Sequence, residues 1–186
     1  MKEIIVVNGY PLSGKDTFMD YCIATLTLRD RKAVKFSSID TVKQAASLLG
    51  WPGTKEDKDR DFLSTLKDLS TQYYDNPFLE LVSFCENSTA EVIFLAVREP
   101  EEILKLENYF RFDYDNSESL LENKVSFRAI LIEREGSLTH LTNTGDSLIA
   151  KYAYDQTICS ESLEELKANA YRFVAGLLRL SLWLHI

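Results

Sequence analysis

Residues 9–17 read GYPLSGKDT, and they directly follow the apolar run EIIVVN at residues 3–8. Glycine, four residues, glycine and lysine is the spacing of a phosphate-binding loop. The glycines let the backbone curl so that successive N–H groups point inward at phosphate oxygens, and the N-terminus of the next helix adds partial positive charge. An apolar strand before the loop and a helical pattern after it are the context that this motif requires. The alternative is a tight strand-to-helix turn that carries Lys15 without binding phosphate.

The residues expected to bind a donor phosphate come from this loop, and they are Gly9, Ser13, Gly14, Lys15, Asp16 and Thr17. Lys15 supplies a mobile full charge for the terminal phosphates. The usual motif continues with a serine or threonine whose hydroxyl holds Mg²⁺, but Asp16 takes that place here. A carboxylate next to phosphate needs a cation between them, so Asp16 is expected to help hold Mg²⁺ through water or to point toward the acceptor. Alternatively, Asp16 only complements the helix dipole.

The rest of the chain alternates short apolar runs with helical patterns, which predicts an α/β fold of three layers with a central parallel sheet flanked by helices. We treat residues 1–186 as a single domain, since this length is ordinary for one. The predicted strands lie at 3–8, 33–37, 91–97, 127–133 and 156–160, and the predicted helices at 13–30, 41–50, 61–74, 76–87, 101–110 and 162–184.

Composition excludes several classes of protein. The chain has 186 residues, 45% of them apolar, and a formal net charge of −8. An acidic chain argues against duplex nucleic acid as a partner, because that binding needs a broad basic surface. The cysteine number, 3, is odd and the residues are widely spaced, which is typical of buried thiols in a reducing compartment. No apolar run approaches a membrane span or a signal peptide, so we expect a cytoplasmic protein without membrane contact.

Several segments together resemble a known family. Gly-Lys-Asp-Thr at 14–17 resembles the deoxynucleoside monophosphate kinases of phages and bacteria and the related phosphomevalonate kinases, within the nucleoside monophosphate kinase group. Later segments resemble the same family in the same order, namely KFSSIDTVKQAASLLG at 35–50, KEDKDRDFLSTL at 55–66, VREPEEI at 97–103 and YDQTICSESLEELK at 154–167. The resemblance implies a P-loop kinase fold that uses ATP and Mg²⁺, with acceptor-binding helices at about 39–89. Ala96 departs from it, because the family usually has aspartate after this strand.

Four residues match family positions that bind the phosphorylated acceptor, and they are Asp40, Lys43, Arg60 and Arg98. Arg98 also makes sense without the family. It follows a predicted parallel strand, where ligands of α/β sheets bind, and a guanidinium can hold a phosphate bidentately. The alternative for Arg98 is an ion pair with Glu99 or Glu102. For Arg60 and the nearby Lys58, the alternative is a solvated helix face.

A further cation is expected to act from a lid loop at about 134–147. Arg134 follows a predicted strand and precedes a glycine-containing loop, so it could close over the donor as a catalytic group beside Lys15, Asp16 and Arg98. The flanking Glu133 and Glu135 favour a surface ion pair equally well.

The leading hypothesis is ATP- and Mg²⁺-dependent phosphoryl transfer to a nucleoside or deoxynucleoside monophosphate. Alternatives are a kinase for another small phosphorylated acceptor such as phosphomevalonate, and a nucleotide-binding regulator that has lost turnover, which Ala96 favours. Tyr73 and Tyr74 lie at helical spacing with Leu66 and Leu69, which predicts core packing, so they are given no site. The apolar C-terminal residues 177–186 are expected to form a buried last helix or the contact of a homodimer.

Overall fold

In the computed structural model of the protein, the described residues are 2–54, 56–113, 125–134 and 148–183. They form five strands, β1 Lys2–Gly9, β2 Ala33–Ser37, β3 Val92–Ala96, β4 Val125–Arg134 and β5 Gln156–Ser160. The α-helices are α1 Lys15–Thr27, α2 Asp40–Leu48, α3 Asp57–Tyr74, α4 Asn76–Asn87, α5 Pro100–Asn108 and α6 Leu163–Trp183. A π-helical turn, Tyr109–Asp113, follows α5, and a 3₁₀ turn, Ile149–Lys151, precedes β5.

The strands form one sheet in the order β2-β3-β1-β4-β5. The pairs β1–β3, β1–β4 and β4–β5 are parallel, with Ile5 opposite Phe94 on one side and opposite Arg128 on the other. β1 is buried along most of its length, as its continuous apolar run predicts for a central parallel strand. β2 and β3 therefore lie on one side of β1, and β4 and β5 lie on its other side, so the strand order reverses at β1.

One face of the sheet is covered by α1 and α6. Side chains at alternate strand positions, such as Ile5 and Val7, enter a common core with Phe18 of α1 and Phe173 of α6. The two phenylalanine rings meet edge to face with centroids 5.7 Å apart. Because α1 starts immediately after the loop, this core fixes the direction in which its N-terminus points.

The π-helical turn packs on the opposite face of the sheet, where it contacts Phe127 of β4. Phe127 points away from the first core, because the β4 residues in that core, Ile130 and Ile132, are at the alternate positions of the strand. Phe110 stacks on Phe127 with ring centroids 6.3 Å apart, and the guanidinium of Arg111 lies 5.7 Å from the same ring. Helices thus cover both faces of the sheet.

The chain divides into two compact units. The first consists of Met1–Lys35 and Thr89–Ile186, and the second is the insertion Phe36–Ser88. Within the second unit α3 packs against α2 and α4, and the rings of Phe36 and Phe84 stack 4.5 Å apart. The insertion spans almost the same residues as the predicted acceptor-binding segment, about 39–89, whose role stays a prediction.

The expectation that Tyr73 and Tyr74 pack in the core is wrong. Their side chains are 89% and 70% exposed. The buried positions of α3 carry the charged residues Asp59 and Lys67 instead, so helical spacing pointed to the wrong face. Helix α3 also begins earlier than its apolar pattern indicates, because Glu56 and Asp59 form a reciprocal capping box.

The cysteines follow the prediction in part. Cys22 and Cys85 are buried, whereas Cys159 is exposed on the edge strand β5. Burial raises the pKa of the Cys22 thiol. Among the described helices, none is both long and apolar enough to cross a membrane. The proposed dimer contact at 177–186 lies largely outside the described side chains and stays a prediction.

Candidate functional site

The candidate site begins where β1 ends at Gly9 and α1 begins at Lys15. Gly14 has a φ of 89° at the N-cap of α1, a left-handed conformation that glycine adopts without strain. Inside the loop the Ser13 N–H donates to the Tyr10 carbonyl at 3.1 Å, and the Phe18 N–H donates to the Gly14 carbonyl at 2.8 Å. The backbone amides that precede this first helical hydrogen bond point out of the N-terminus of α1. The loop therefore has the curled form that its spacing predicts.

Gly9 is required by the close approach of other chain segments. A Cβ at this position would lie 2.7 Å from the Ile132 carbonyl oxygen of β4 and would also meet the Ser13 side chain. Ser13 itself is 1% exposed, and its Oγ has no hydrogen-bond partner among the described residues. A buried hydroxyl inside such a loop is suited to donate to an anion oxygen.

Lys15 and Thr17 are half-buried at the start of α1, and Asp16 between them is exposed. The described residues contain no group of three or more His, Cys, Asp or Glu side chains that could hold a metal ion by themselves. A single carboxylate in the loop nevertheless fits Mg²⁺ beside a nucleotide, because this ion keeps several waters and takes one or two carboxylates plus phosphate oxygens. Asp16 is the carboxylate of the loop that could serve.

Two arginines follow the strands on either side of β1. Arg98 comes two residues after the last residue of β3, Ala96, and Arg134 is the last residue of β4. Parallel strands end at one edge of the sheet, so the loop lies between the ends that carry these two cations. Ligands of open α/β sheets bind at this edge, at the point where the strand order reverses.

Asn8 is a buried residue at this edge that the sequence analysis did not single out. Its Nδ2 donates to the Arg98 carbonyl at 2.9 Å and to the Tyr154 hydroxyl at 2.7 Å, while its Oδ1 accepts from the Gly9 N–H at 2.8 Å. The available signal was a polar residue that closes an apolar strand directly before the first loop glycine. Its partners cannot be deduced from sequence, because they lie 90 and 146 residues away.

Tyr10 and Tyr154 line the β4 side of the loop. Both belong to an apolar cluster with Leu131 and Ile149. Burial, together with the nearby Glu133 carboxylate, raises the pKa of Tyr10. Burial is also the main reason why the pKa of Tyr154 rises to about 12. Both hydroxyls therefore stay protonated at neutral pH.

Three of the predicted acceptor residues, Asp40, Lys43 and Arg60, belong to the second unit. Asp40 is the first residue of α2, and its carboxylate lies 3.4 Å from the Lys43 ammonium. Arg60 is exposed in the first turn of α3, and Lys58 pairs with Glu56 at 2.9 Å. Of the predicted lid loop, Arg134 is exposed at the end of β4, and residues 135–147 lie outside the described residues.

No protein-family model and no curated protein sequence matches this chain. Among solved structures, it is similar to a "putative kinase" from Chloroflexus aurantiacus J-10-fl, with 13% identity, a TM-score of 0.52 and coverage of 96% of each chain. It is also similar to thymidylate kinase from Ehrlichia chaffeensis, with 11% identity, a TM-score of 0.43 and coverage of 94% of this chain and 99% of that one. At 13% identity the Chloroflexus structure shows the fold alone. Together with the strand order, it confirms the predicted P-loop kinase fold, an α/β structure of three layers around a parallel sheet.

Proposed function

We propose that the protein transfers the γ-phosphoryl group of ATP, with Mg²⁺, to a nucleoside or deoxynucleoside monophosphate. The observation that carries this proposal is the curled loop with left-handed Gly14 and Lys15 at the start of α1, set between the strand ends that carry Arg98 and Arg134. The fold shared with a protein described as a kinase agrees with it.

The loop would bind the donor. Backbone amides at the start of α1 and the buried Ser13 hydroxyl are hydrogen-bond donors for phosphate oxygens, and Lys15 adds a full positive charge. ATP would supply the transferable phosphoryl group, and bound Mg²⁺ would offset part of the negative charge of its phosphate oxygens. Asp16 would hold the hydrated ion.

Arg98 and Arg134 would stabilise the charge that develops on the transferred group. Phosphoryl transfer spreads negative charge over the equatorial oxygens, and preorganised cations stabilise that charge most in the transition state. An acceptor phosphate oxygen is already a nucleophile, so the chain has to orient it and exclude water rather than form a covalent intermediate. Arg98 would bind that acceptor, and the acceptor roles of Asp40, Lys43 and Arg60 stay predictions from the family resemblance.

The test is an ADP-release assay with ATP and Mg²⁺ against a panel of ribonucleoside and deoxyribonucleoside monophosphates, with phosphomevalonate included. We expect turnover with at least one nucleotide, and we expect Lys15→Ala to lower kcat/KM by at least about 100-fold, the size of effect seen when one preorganised electrostatic group is removed. The matched control is Lys35→Ala, which removes an exposed lysine that pairs with Asp20 at 2.6 Å. Such a surface pair is worth about 0–1 kcal/mol, so the control variant should keep wild-type activity.

The outcomes separate the readings of the site. Turnover with phosphomevalonate alone would replace the nucleotide acceptor by another small phosphorylated one. ATP binding without transfer to any member of the panel would favour a nucleotide-binding regulator. Normal turnover by a folded Lys15→Ala protein would show that this loop is not the active site.

A further inference from the structure

Asn8 joins three segments of the chain that meet at the edge of the sheet beside the loop. The residue is 0% exposed, and its side-chain amide makes three hydrogen bonds, each to a different residue. Its NH₂ group donates to the Arg98 carbonyl after β3 and to the Tyr154 hydroxyl before β5, and its oxygen accepts from the Gly9 N–H at the start of the loop.

The network continues through Tyr154. This hydroxyl accepts from Asn8 and donates to the Ile149 carbonyl at 3.0 Å. It can play both roles only while it is protonated, which its raised pKa ensures at neutral pH. Asn8 thus connects the loop and the Arg98 segment to the 3₁₀ turn at Ile149–Lys151.

A buried amide at this place is costly unless its bonds are made. An unsatisfied amide in an apolar site costs about 1–3 kcal/mol in proteins, and an apolar residue could fill a strand interior without that risk. The rest of β1 from Ile4 to Val7 is apolar, so a strand built only for packing has no need of an asparagine at its end. Two of the three bonds of Asn8 go to backbone groups, the Gly9 N–H of the donor loop and the Arg98 carbonyl, and the third goes to the Tyr154 hydroxyl.

We infer that Asn8 is a positioning residue, which sets the backbone of the donor-phosphate loop relative to the backbone that carries the acceptor-binding Arg98. This inference rests on the proposed phosphoryl transfer and deepens it. Asn8 itself need not touch either substrate, because it acts through the Gly9 N–H and the Arg98 carbonyl.

Such a role has a kinetic signature. The donor and the acceptor would bind mainly to groups that remain present without Asn8, so their separate affinities should change little. Their mutual alignment should suffer, because a displacement of about 1 Å between reacting groups can cost about 100-fold in rate. The loss is therefore expected in kcat and not in the affinity for ATP.

The experiment compares Asn8→Ala, Tyr154→Phe and Thr25→Ala with the wild-type protein. For each we measure the melting temperature, the Kd for ATP, and kcat and KM for the best monophosphate acceptor. Tyr154→Phe keeps the ring in its cluster and leaves the Asn8 bonds to Arg98 and Gly9 in place. Thr25 is 5% exposed, and Thr25→Ala removes a hydroxyl that donates to the Tyr21 carbonyl within α1, as a control for the loss of one hydrogen bond away from the loop.

We expect Asn8→Ala to lower kcat at least 10-fold with less than a 3-fold change in the Kd for ATP. Tyr154→Phe should lower kcat by a smaller factor, and Thr25→Ala should leave kcat unchanged at temperatures where the protein is folded. If Asn8→Ala does not fold, the inference stands on Tyr154→Phe. This variant removes one of the two acceptors of the Asn8 NH₂ group and so loosens the amide that holds Gly9 and Arg98, and its kcat must then fall below that of Thr25→Ala.

The inference is overturned if Asn8→Ala lowers the melting temperature as Thr25→Ala does and keeps the wild-type kcat, because Asn8 would then only stabilise the fold. A wild-type protein that binds ATP but transfers to no acceptor would overturn the proposed function and this inference together. If the wild-type protein transfers phosphate and Asn8→Ala keeps its kcat, the positioning role of Asn8 is overturned and the proposed function stands.

Discussion

Gly9 leaves no room for a side chain, and this makes it the sharpest test of the loop at the scale of one residue. The atom that a Cβ would meet at 2.7 Å is the Ile132 carbonyl oxygen, which belongs to the backbone of β4 and cannot rotate away. We expect Gly9→Ala to destabilise the protein by about 1–3 kcal/mol, the usual cost of overpacking. ATP affinity should fall as well, because the loop must shift. Thermal unfolding and calorimetric titration measure the two effects.

Gly176 provides the matched control for this substitution. A Cβ there would meet nothing within 4 Å. Since alanine is favoured over glycine in a helix by about 1 kcal/mol, Gly176→Ala should be neutral or stabilising and should leave ATP affinity unchanged. Equal behaviour of the two variants would mean that β4 does not constrain the loop at Gly9.

Single residues also show what sequence could and could not reveal about the site. The spacing from Gly9 to Lys15 predicted the loop because that geometry is local. The hydrogen bonds of the buried Asn8 are set by partners distant in sequence, and no local pattern carries that information. The contribution of Asp40, Lys43 and Arg60 to an acceptor site stays a prediction from the family resemblance.

At the scale of elements, Arg111 links the π-helical turn to the sheet through ion pairs and a hydrogen bond. Its guanidinium contacts Glu107 at 2.9 Å and Asp155 at 3.2 Å and donates to the Phe127 carbonyl at 3.2 Å. Asp155 in turn accepts from the Ala129 N–H of β4 at 2.7 Å. These bonds join the end of α5, β4 and the start of β5.

We expect Arg111→Ala to lower the free energy of unfolding by about 1–2 kcal/mol, because charge-assisted hydrogen bonds are lost but solvent screens part of their strength. Arg111→Lys should restore little of it, since an ammonium cannot reproduce the planar fork. Urea denaturation gives the values, and Arg172→Ala is the control, because this exposed arginine donates to the Asn169 Oδ1 at 3.0 Å within the same helix. A loss no larger than that of the control would remove Arg111 from this role.

The elements themselves were largely predictable, and the exceptions have physical causes. Buried parallel strands are continuous apolar runs, so β1 and β3 were predicted to within one residue at each end. The partly exposed edge strands β2 and β5 were predicted with the bounds that they have. The helical spacing of apolar residues predicted α3 but not the face that it buries. The charged Asp59 and Lys67 are buried, whereas Tyr73 is exposed. The π-helical turn depends on the contacts of Arg111 with segments 16 and 44 residues away, which periodicity does not encode.

At the scale of the whole molecule, donor binding should appear as a stability change that needs no acceptor and no turnover. A ligand that binds only the folded state at 100 times its Kd stabilises that state by about 2.7 kcal/mol. For a chain of this length each kcal/mol raises the melting temperature by about 2–4 °C, so saturating ATP with Mg²⁺ should raise it by about 5–11 °C.

The Lys15→Ala protein should melt near the wild-type temperature without ligand, since Lys15 is only half-buried, but its shift with ATP should be largely lost. Differential scanning fluorimetry over a series of ATP concentrations measures both proteins, and Lys35→Ala should follow the wild type. An equal ATP-induced shift in Lys15→Ala and wild type would place nucleotide binding elsewhere in the molecule. The loop at Gly9–Lys15 would then be a structural strand-to-helix turn, and the proposed transfer would lose its donor site.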